Sequence, residues 1–289
     1  MNVLILGGTR LMGRHLTRTL LEAGHRVTLG NRGQTPDSFG GQVERLTLNR
    51  LDGESLSKAL SGREYDVICD SLAYSSEDVR LLLDRVCCGR YVTISSAAVY
   101  DLRPGLREED FDPLSYPLRW CSRIYFPYRE VKRQAECALF GPFAGQPAAA
   151  ARFPFVAGED DYTRRLYFYV EHIVTGVPMA VDNPDSRMEW VRSDEAGRFL
   201  AFLAGQTETG PFNGSSGGTV SLREIGEYVR QQTGRVPLYS ADGDQAPYNG
   251  TPSYSLDTGR AGALGFHFTP LKEWLYPLLD SYIRQARRL

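Results

Sequence analysis

The sequence is poor in the residues that build disulfide frameworks and metal centres. Its five cysteines form no Cys-x-x-Cys pair, and their odd number argues against a disulfide framework. The four histidines lie far apart along the chain and lack the close spacing of metal ligands. The sequence therefore predicts no metal site.

Long apolar runs and an excess of one charge are also missing. The apolar run near the N-terminus has four residues, which is too short for a secretory signal, and no stretch approaches the length of a bilayer span. Lys and Arg total 33 against 35 Asp and Glu, so the net charge of −2 gives no overall attraction to nucleic acid or anionic membranes. We therefore expect a cytoplasmic protein with no membrane contact, and the charge balance does not favour a nucleic-acid partner.

The first half alternates short apolar runs with helical patterns, which is typical of βαβ units around a parallel sheet. With 289 residues, the chain is long enough for one α/β domain or for a nucleotide-binding domain with a smaller lobe. The predicted strands are Asn2–Leu6, Arg26–Leu29, Val43–Leu48, Asp66–Asp70 and Tyr91–Ser95. The predicted helices are Met12–Ala23, Gly53–Leu60, Glu77–Cys87 and Tyr125–Phe140.

The pattern loosens after Arg152. We predict a doubly wound parallel sheet in residues 1–152 and a smaller substrate lobe, partly interleaved with it, in residues 153–289. Two apolar segments, Phe153–Val156 and Met188–Val191, are expected to return to the sheet. The predicted helices here are Tyr167–Thr175, Leu222–Thr233 and Trp274–Arg287, and the stretch Tyr239–Tyr254 is predicted to be a surface loop.

A glycine-rich turn joins the first strand to the first helix. Glycines permit a tight turn and let the backbone approach a pyrophosphate, while the helix N-terminus supplies free N–H groups and partial positive charge. The alternative is that these glycines merely shape a turn, but the strand before and the helix after favour dinucleotide binding. The predicted cofactor-binding residues of this turn are Gly7, Gly8, Thr9, Arg10, Leu11, Met12 and Gly13.

The turn departs from the Gly-x-x-Gly-x-x-Gly pattern because Arg10 stands where the second glycine is expected. The second strand is followed by Asn31 and Arg32, without the acidic residue that commonly holds the ribose 2′-hydroxyl of NAD. Arg10 and Arg32 could together hold a 2′-phosphate. This favours NADP over NAD, against the alternative that both arginines are merely solvated.

Tyr128 and Lys132 form a Tyr-x-x-x-Lys pattern inside a predicted helix, so they share one face. A nearby ammonium favours the ionised phenol, which makes Tyr128 a candidate general acid/base. Ser96 follows a parallel strand, at the sheet edge where α/β proteins bind ligands, and it is a candidate hydrogen-bond donor to a substrate oxygen. The alternative for Ser95 and Ser96 is ordinary loop hydrogen bonding.

Together these residues resemble the extended short-chain dehydrogenase/reductase superfamily, in its NAD-dependent epimerase/dehydratase family. The resemblance extends to Ser-Ser-Ala-Ala-Val-Tyr at 95–100, Trp-Val-Arg-Ser-Asp at 190–194 and Phe-Asn-Gly at 212–214. It implies a Rossmann fold, an NAD or NADP cofactor, and Tyr128, Lys132 and Ser96 as catalytic residues, with Lys132 also bonding the nicotinamide ribose. The further cofactor contacts that it implies are Asn49, Arg50, Ser71, Leu72, Ala73, Ser95 and Phe155.

The resemblance implies redox chemistry at a hydroxyl or keto carbon of a small molecule, such as a sugar or nucleotide sugar, in a protein whose candidate oligomer is a homodimer. The Gly-Gly-Thr-Arg turn is closer to a divergent subgroup that includes chloroplast stem-loop RNA-binding proteins. The alternative is therefore an RNA-binding or cofactor-sensing protein without turnover, although Tyr128, Lys132 and Ser96 favour an enzyme. Candidate substrate contacts, each equally readable as packing or surface, are Trp120, Arg123, Arg164, Arg165, Tyr167 and Tyr169.

Overall fold

A computed structural model describes residues 1–288 of the chain. The strands are β1 Asn2–Leu6, β2 Arg26–Asn31, β3 Glu44–Thr47, β4 Tyr65–Asp70, β5 Cys88–Ser96, β6 Ala148–Phe153, β7 Phe155–Ala157, β8 Met179–Ala180, β9 Arg187–Met188, β10 Trp190–Arg192, β11 Gly210–Asn213, β12 Val220–Ser221 and β13 Asp244–Gln245. The α-helices are α1 Leu11–Glu22, α2 Gly53–Leu60, α3 Ser76–Leu83, α4 Tyr128–Phe140, α5 Arg165–Thr175, α6 Ser193–Ala204, α7 Leu222–Thr233, α8 Gly259–Ala263 and α9 Leu271–Ala286.

The main sheet of residues 1–288 has seven strands in the order β11-β6-β5-β4-β1-β2-β3. Every neighbouring pair is parallel. Helices cover both faces, so the predicted doubly wound Rossmann-type sheet is confirmed. The strand order reverses beside β1, which pairs with β2 on one side and β4 on the other. In such sheets, ligands bind in the crevice outside the carboxyl ends of the strands at this reversal.

The last two strands of the sheet were not predicted. Strand β6 contains four successive alanines, each at most 2% exposed, between β5 and β11. Alanine favours helices intrinsically, so only its burial between two neighbouring strands explains this strand. The expectation that Phe153–Val156 and Met188–Val191 return to the sheet is wrong, because β7 pairs with β10 in a separate two-stranded sheet.

The first residues of α3 and α4 differ from the predictions, because the residues just before each helix set where it begins. Helix α4 begins at Tyr128 rather than Tyr125, because Pro127 occupies the position before the first helical residue. Helix α3 begins after Ser75, whose side chain accepts from Asp78 N in a reciprocal capping box, and it ends at Leu83. The predicted bounds of α2 and α7 agree with the structure.

Helices from the second half of the chain pack in two places, against α1 and around a second apolar cluster. Helix α6 packs along α1, and Gly197 permits this approach because a Cβ there would lie 2.7 Å from Leu16 N. Helices α5, α7 and α9 pack together around a second apolar cluster with Trp274 and Ile225. Across residues 1–288, we find no helix with the length and apolar character that crossing a membrane demands.

Candidate active site

The turn between β1 and α1 is shaped by glycines that cannot be replaced without moving the backbone. Gly7 has φ +88°, a conformation that favours glycine. A Cβ on Gly13 would lie 2.3 Å from Gly7 O, and one on Gly8 would lie 2.6 Å from Leu29 Cδ2. The buried Thr17 hydroxyl lies 2.9 Å from both Gly8 O and Gly13 O and ties the turn to the helix.

The N-terminus of α1 is open to an anion. Arg10 precedes the helix in an extended conformation, its side chain makes no capping hydrogen bond, and the first turn carries no acidic residue. The first N–H groups of the helix therefore lack a side-chain acceptor and add to its partial positive charge. Leu11 has φ +45°, a strained conformation that points the chain into the helix beside this turn.

A groove of about 690 Å³ runs from this turn along the carboxyl ends of the sheet strands. Arg10 and Arg32 both line it and are both exposed. The Arg10 guanidinium lies 5.3 Å from the ring centroid of Tyr162. The predicted cofactor residues that line the groove are Gly7, Thr9, Arg10, Leu11, Met12, Gly13, Asn31, Arg32, Asn49, Arg50, Ser71 and Leu72.

Arg50 lies in the groove wall, but its charge is already neutralised. Its guanidinium donates to Asp70 at 2.6 and 2.9 Å and to the backbone oxygen of Asp78 at 2.6 Å, and it is 4% exposed. Burial acts to lower the pKa of Arg50, and the charge of Asp70 overrides it, so the pKa is raised. Arg50 therefore fixes the ends of β3 and β4 rather than offering a free cation to the adenine end of a cofactor.

Lys132 lies behind the groove on α4 and is 3% exposed. Its Nζ donates to Ile94 O at 2.7 Å and to Ala73 O at 3.1 Å, and it lies 4.6 Å from the ring centroid of Tyr74. Burial lowers the pKa of Lys132 to about 8, although the carboxylate of Asp70 opposes the shift. The ammonium is thus held by backbone carbonyls at the ends of two neighbouring strands.

Tyr128 is half exposed at the start of α4, and its ring packs edge-on against Tyr74 with centroids 6.4 Å apart. Partial burial raises the pKa of Tyr128, while the nearby Ser96 side chain and the charge of Arg165 lower it. The expectation that Lys132 lowers this pKa is not met, since its Nζ lies 6.0 Å from the ring centroid and is engaged elsewhere.

Other predicted contacts lie away from the groove. The buried Ser95 hydroxyl donates to Glu136, so it points toward α4, and Ala73 presents its backbone oxygen to Lys132. Phe155 packs against Tyr248, with ring centroids 4.2 Å apart, in the aromatic cluster of the second lobe. Gly8 packs closely against Leu29 and is not among the residues that line the groove.

The candidate substrate contacts are divided among the buried core, the surface and the groove. Tyr167 and Tyr169 are 2% and 3% exposed, so both belong to the core. Trp120 packs under Arg80 at the surface. Arg123 lines the groove and donates to Leu72 O and to the Asp78 carboxylate, both at 3.0 Å.

Two aromatic residues of the groove were missed by the sequence analysis. Tyr74 connects the groove to the catalytic candidates, because it lines the groove and contacts both Tyr128 and Lys132. Its position just beyond the end of β4 was a usable signal, since ligands gather at that edge. Tyr162 comes from the second half of the chain, and no local sequence pattern predicts its contact with Arg10.

Lys132→Met is expected to abolish a rise in the free energy of unfolding that the wild type shows as the pH increases above 8. Between pH 8 and 10.5, the unfolded chain keeps the lysine proton while the folded protein releases it, so the free energy of unfolding rises with pH. The shift corresponds to roughly 3 kcal/mol. Denaturant unfolding at pH 7.5 and at pH 10 should give that rise for the wild type relative to Lys132→Met, and parallel curves for the two proteins would contradict the low pKa of Lys132.

The fold defines the class of the protein as a doubly wound α/β protein of the Rossmann type. Residues 3–84 match the sequence profile of the NAD dependent epimerase/dehydratase family. The matched segment contains the glycine-rich turn and the ends of β1 to β4, whereas Ser96, Tyr128 and Lys132 lie beyond it.

One relative matches part of the chain in sequence. The chain is 32% identical over 130 residues to the chloroplast stem-loop binding protein of 41 kDa b from Arabidopsis thaliana. The alignment covers 39% of this chain and 34% of that protein, so the chain matches about a third of the relative's length. This likeness agrees with the resemblance of the Gly-Gly-Thr-Arg turn to that divergent subgroup.

Solved structures share the fold over almost the whole chain. A UDP-glucose 4-epimerase from Thermotoga maritima, solved with UDP-glucose, superimposes with a TM-score of 0.75 at 18% identity and covers 99% of both chains. A dTDP-glucose 4,6-dehydratase from Bacillus anthracis, solved with NAD, gives a TM-score of 0.74 at 16% identity, over 99% of this chain and 98% of that one. At these identities, the likeness establishes the fold.

Proposed function

We propose that the protein is an NAD(P)-dependent enzyme of the epimerase, dehydratase or reductase type that acts on a hydroxyl or keto carbon, most suitably of a nucleotide sugar. The observation that carries this proposal is the continuity of the groove with the catalytic candidates. The groove begins at the glycine-rich turn and includes Tyr74 and Ile94, which contact the Lys132 ammonium. The family and the nucleotide-sugar enzymes among its structural neighbours support it.

The residues present suit a dinucleotide. The pyrophosphate would lie over Gly7 and Gly13 at the uncapped N-terminus of α1, where a Cβ on Gly13 would collide with the turn. Asn31 and Asn49 line the far end of the groove near the adenosine. When bound, NAD(P) would accept a hydride from the reacting carbon or return one to it.

The chain's own residues would handle the proton. Tyr128 would take the proton of the substrate hydroxyl as the carbon is oxidised and give it back when the carbonyl is reduced. Ser96, whose side chain lies near the Tyr128 phenol, would orient the phenol and the substrate oxygen. Lys132 would hold the nicotinamide ribose from its position between Ala73 O and Ile94 O.

We infer a weak preference for NADP from Arg10 and Arg32, whereas the B. anthracis neighbour was solved with NAD. Replacing both arginines with alanine is expected to weaken NADPH binding tenfold or more beyond any effect on NADH, since each lost guanidinium–phosphate bond weakens only the phosphorylated cofactor. Fluorescence titration of both cofactors measures this. Equal losses, or a wild type that prefers NADH, would reject the NADP preference and leave the enzyme proposal standing.

The enzyme proposal itself is tested by a screen of nucleotide sugars with NAD and NADPH. Absorbance at the nicotinamide band reports a net reductase, and product chromatography reports an epimerase or dehydratase, which returns the hydride within one turnover. Catalysis that depends on Tyr128 supports the proposal. Tight cofactor binding without turnover on any substrate would favour a sensor.

RNA binding is the second candidate, because the relative from Arabidopsis is a stem-loop binding protein. The net charge of −2 and the carboxylates paired with Arg123 and Arg50 around the groove argue against it. An electrophoretic shift with a stem-loop RNA at about 0.15 M salt separates the two functions. Submicromolar RNA binding together with absent turnover would replace the enzyme proposal.

A further inference from the structure

Tyr74 lies where the cofactor groove meets the catalytic candidates. It stands just beyond the end of β4 and lines the groove. Its ring centroid lies 4.6 Å from Lys132 Nζ and 6.4 Å from the ring centroid of Tyr128. Since Lys132 Nζ lies 6.0 Å from the Tyr128 centroid, the ammonium is closer to Tyr74 than to the tyrosine of its own motif. The ring of Tyr74 is therefore a shared neighbour of both catalytic candidates.

The Lys132 ammonium is buried without a carboxylate bound to it. In residues 1–288, its Nζ donates to neutral backbone oxygens, those of Ala73 and Ile94. The three carboxylates that favour its charged form are each paired with an arginine, in the pairs Asp70 with Arg50, Asp78 with Arg123 and Glu136 with Arg152. Burial therefore outweighs their charges and lowers the pKa of Lys132 to about 8. Further support for the ammonium has to come from uncharged neighbours.

The ring face of Tyr74 is such a neighbour. The face of an aromatic ring carries partial negative charge and attracts a cation within about 6 Å of its centroid, most strongly where water is excluded. Lys132 meets both conditions, since its Nζ lies 4.6 Å from the Tyr74 centroid and the residue is 3% exposed. The Arg123 guanidinium carbon also lies 4.6 Å from this centroid, so two cations share the ring. Because the charge of Arg123 opposes the charged form of Lys132, loss of the ring would remove an attraction and leave a repulsion.

The backbone around Tyr74 holds the ring in this position. Tyr74 N donates to Asp78 Oδ2 at 2.9 Å, and Arg123 donates to the same oxygen at 3.0 Å. The preceding residue, Ala73, presents its backbone oxygen to Lys132. One carboxylate thus fixes both the tyrosine and the arginine on its ring, and the ammonium is bound to the adjacent peptide. These contacts come from the fold itself and need no ligand.

We propose that Tyr74 is a positioning residue of the reaction centre, whose ring keeps the Lys132 ammonium charged and in place and supports the ring of Tyr128. The inference rests on the proposed function, in which Lys132 holds the nicotinamide ribose while Tyr128 moves the proton. Both contacts are made by the ring, so Tyr74→Phe should preserve them, whereas Tyr74→Leu and Tyr74→Met should not. Tyr125→Leu is the control, because Tyr125 is 77% exposed.

The composition of the chain makes the ammonium directly measurable. Among its 33 basic residues, only Lys58, Lys132 and Lys272 are lysines, and Lys58 and Lys272 are exposed. NMR of the protein with isotope-labelled lysine therefore follows the titration of Lys132 against two internal references. Removal of the ring weakens only the charged form, so Tyr74→Leu and Tyr74→Met should titrate lower than the wild type by roughly half a pH unit or more. Tyr74→Phe and Tyr125→Leu should titrate with the wild type.

Cofactor binding gives a second readout in the same variants. Because Lys132 holds the ribose, Tyr74→Leu should weaken both NADH and NADPH about threefold or more, and Tyr74→Phe should bind them like the wild type. On a substrate from the screen, Tyr74→Leu should lower kcat more than it raises KM, since Tyr74 acts through Lys132 and Tyr128.

An unchanged or higher titration midpoint of Lys132 in both ring-free variants would overturn the inference. Equal cofactor affinities in all variants would overturn it as well. A wild type that binds neither NADH nor NADPH would count against the proposed function, and the lysine titration would then decide by itself whether Tyr74 holds the ammonium.

Discussion

Tyr128→Phe should lower turnover by a factor of roughly one hundred to ten thousand, the usual contribution of a positioned acid/base. The variant loses one hydroxyl and keeps the ring that packs edge-on against Tyr74. Cofactor affinity and folding should therefore be unchanged. The measurement is the steady-state rate and the NAD(P) dissociation constant on the substrate that the screen identifies.

Tyr125→Phe is the matched control, because Tyr125 lies three residues earlier on the same segment and is 77% exposed. It should keep the full rate. Ser96→Ala should lower the rate less than Tyr128→Phe, since it removes the proposed hydrogen bond to the substrate oxygen and not the proton carrier. A Tyr128→Phe enzyme with the wild-type rate would place the acid/base elsewhere.

The first half of the fold could be predicted because its signals are local. Strand β1 and helices α2 and α7 have the predicted bounds, since apolar periodicity and end signals such as Ser221 and Gly234 coincide there. Strand β6 could not be found this way. Its alanines carry no strand preference, and they are strand residues only because β5 and β11 lie on either side.

The candidate site was predictable to the same extent. Turn glycines and the Tyr-x-x-x-Lys spacing are motifs that reflect backbone geometry. Gly13 lines the groove, and Tyr128 and Lys132 contact its residues Tyr74 and Ile94. Whether an arginine is free depends on partners far away in the sequence. Arg50, which the resemblance implied as a cofactor contact, is neutralised by Asp70, 20 residues on.

Electrostatic support for helix α4 comes from a buried ion pair that no motif indicated. Arg152 on β6 and Glu136 on α4 are 0% and 1% exposed, and Arg152 Nη2 lies 2.5 Å from a Glu136 oxygen. Arg152 also donates to Tyr100 Oη and to the backbone oxygens of Glu108 and Phe111. Burial acts to lower the pKa of Arg152, and the charge of Glu136 overrides it and raises the pKa.

Arg152→Met is expected to destabilise the protein by about 3–5 kcal/mol, because it leaves the Glu136 carboxylate buried without its countercharge. That is a large share of the roughly 5–15 kcal/mol that stabilises a typical domain. Arg26→Met removes an arginine that is 75% exposed in its ion pair with Glu44, and it should change the stability by less than about 1 kcal/mol. Denaturant unfolding curves of both variants measure the difference.

The double variant Arg152→Met with Glu136→Leu separates the charge from the packing. If the loss in Arg152→Met comes from an uncompensated charge, removing Glu136 as well should restore part of the stability, and the two effects should fall well short of additive. Since Glu136 also holds Ser95, next to Ser96, the double variant should still turn over more slowly than the wild type when fully folded. Additive losses would mean that Arg152 acts through its hydrogen bonds to Tyr100 and the 108–111 backbone, and that the ion pair itself contributes little.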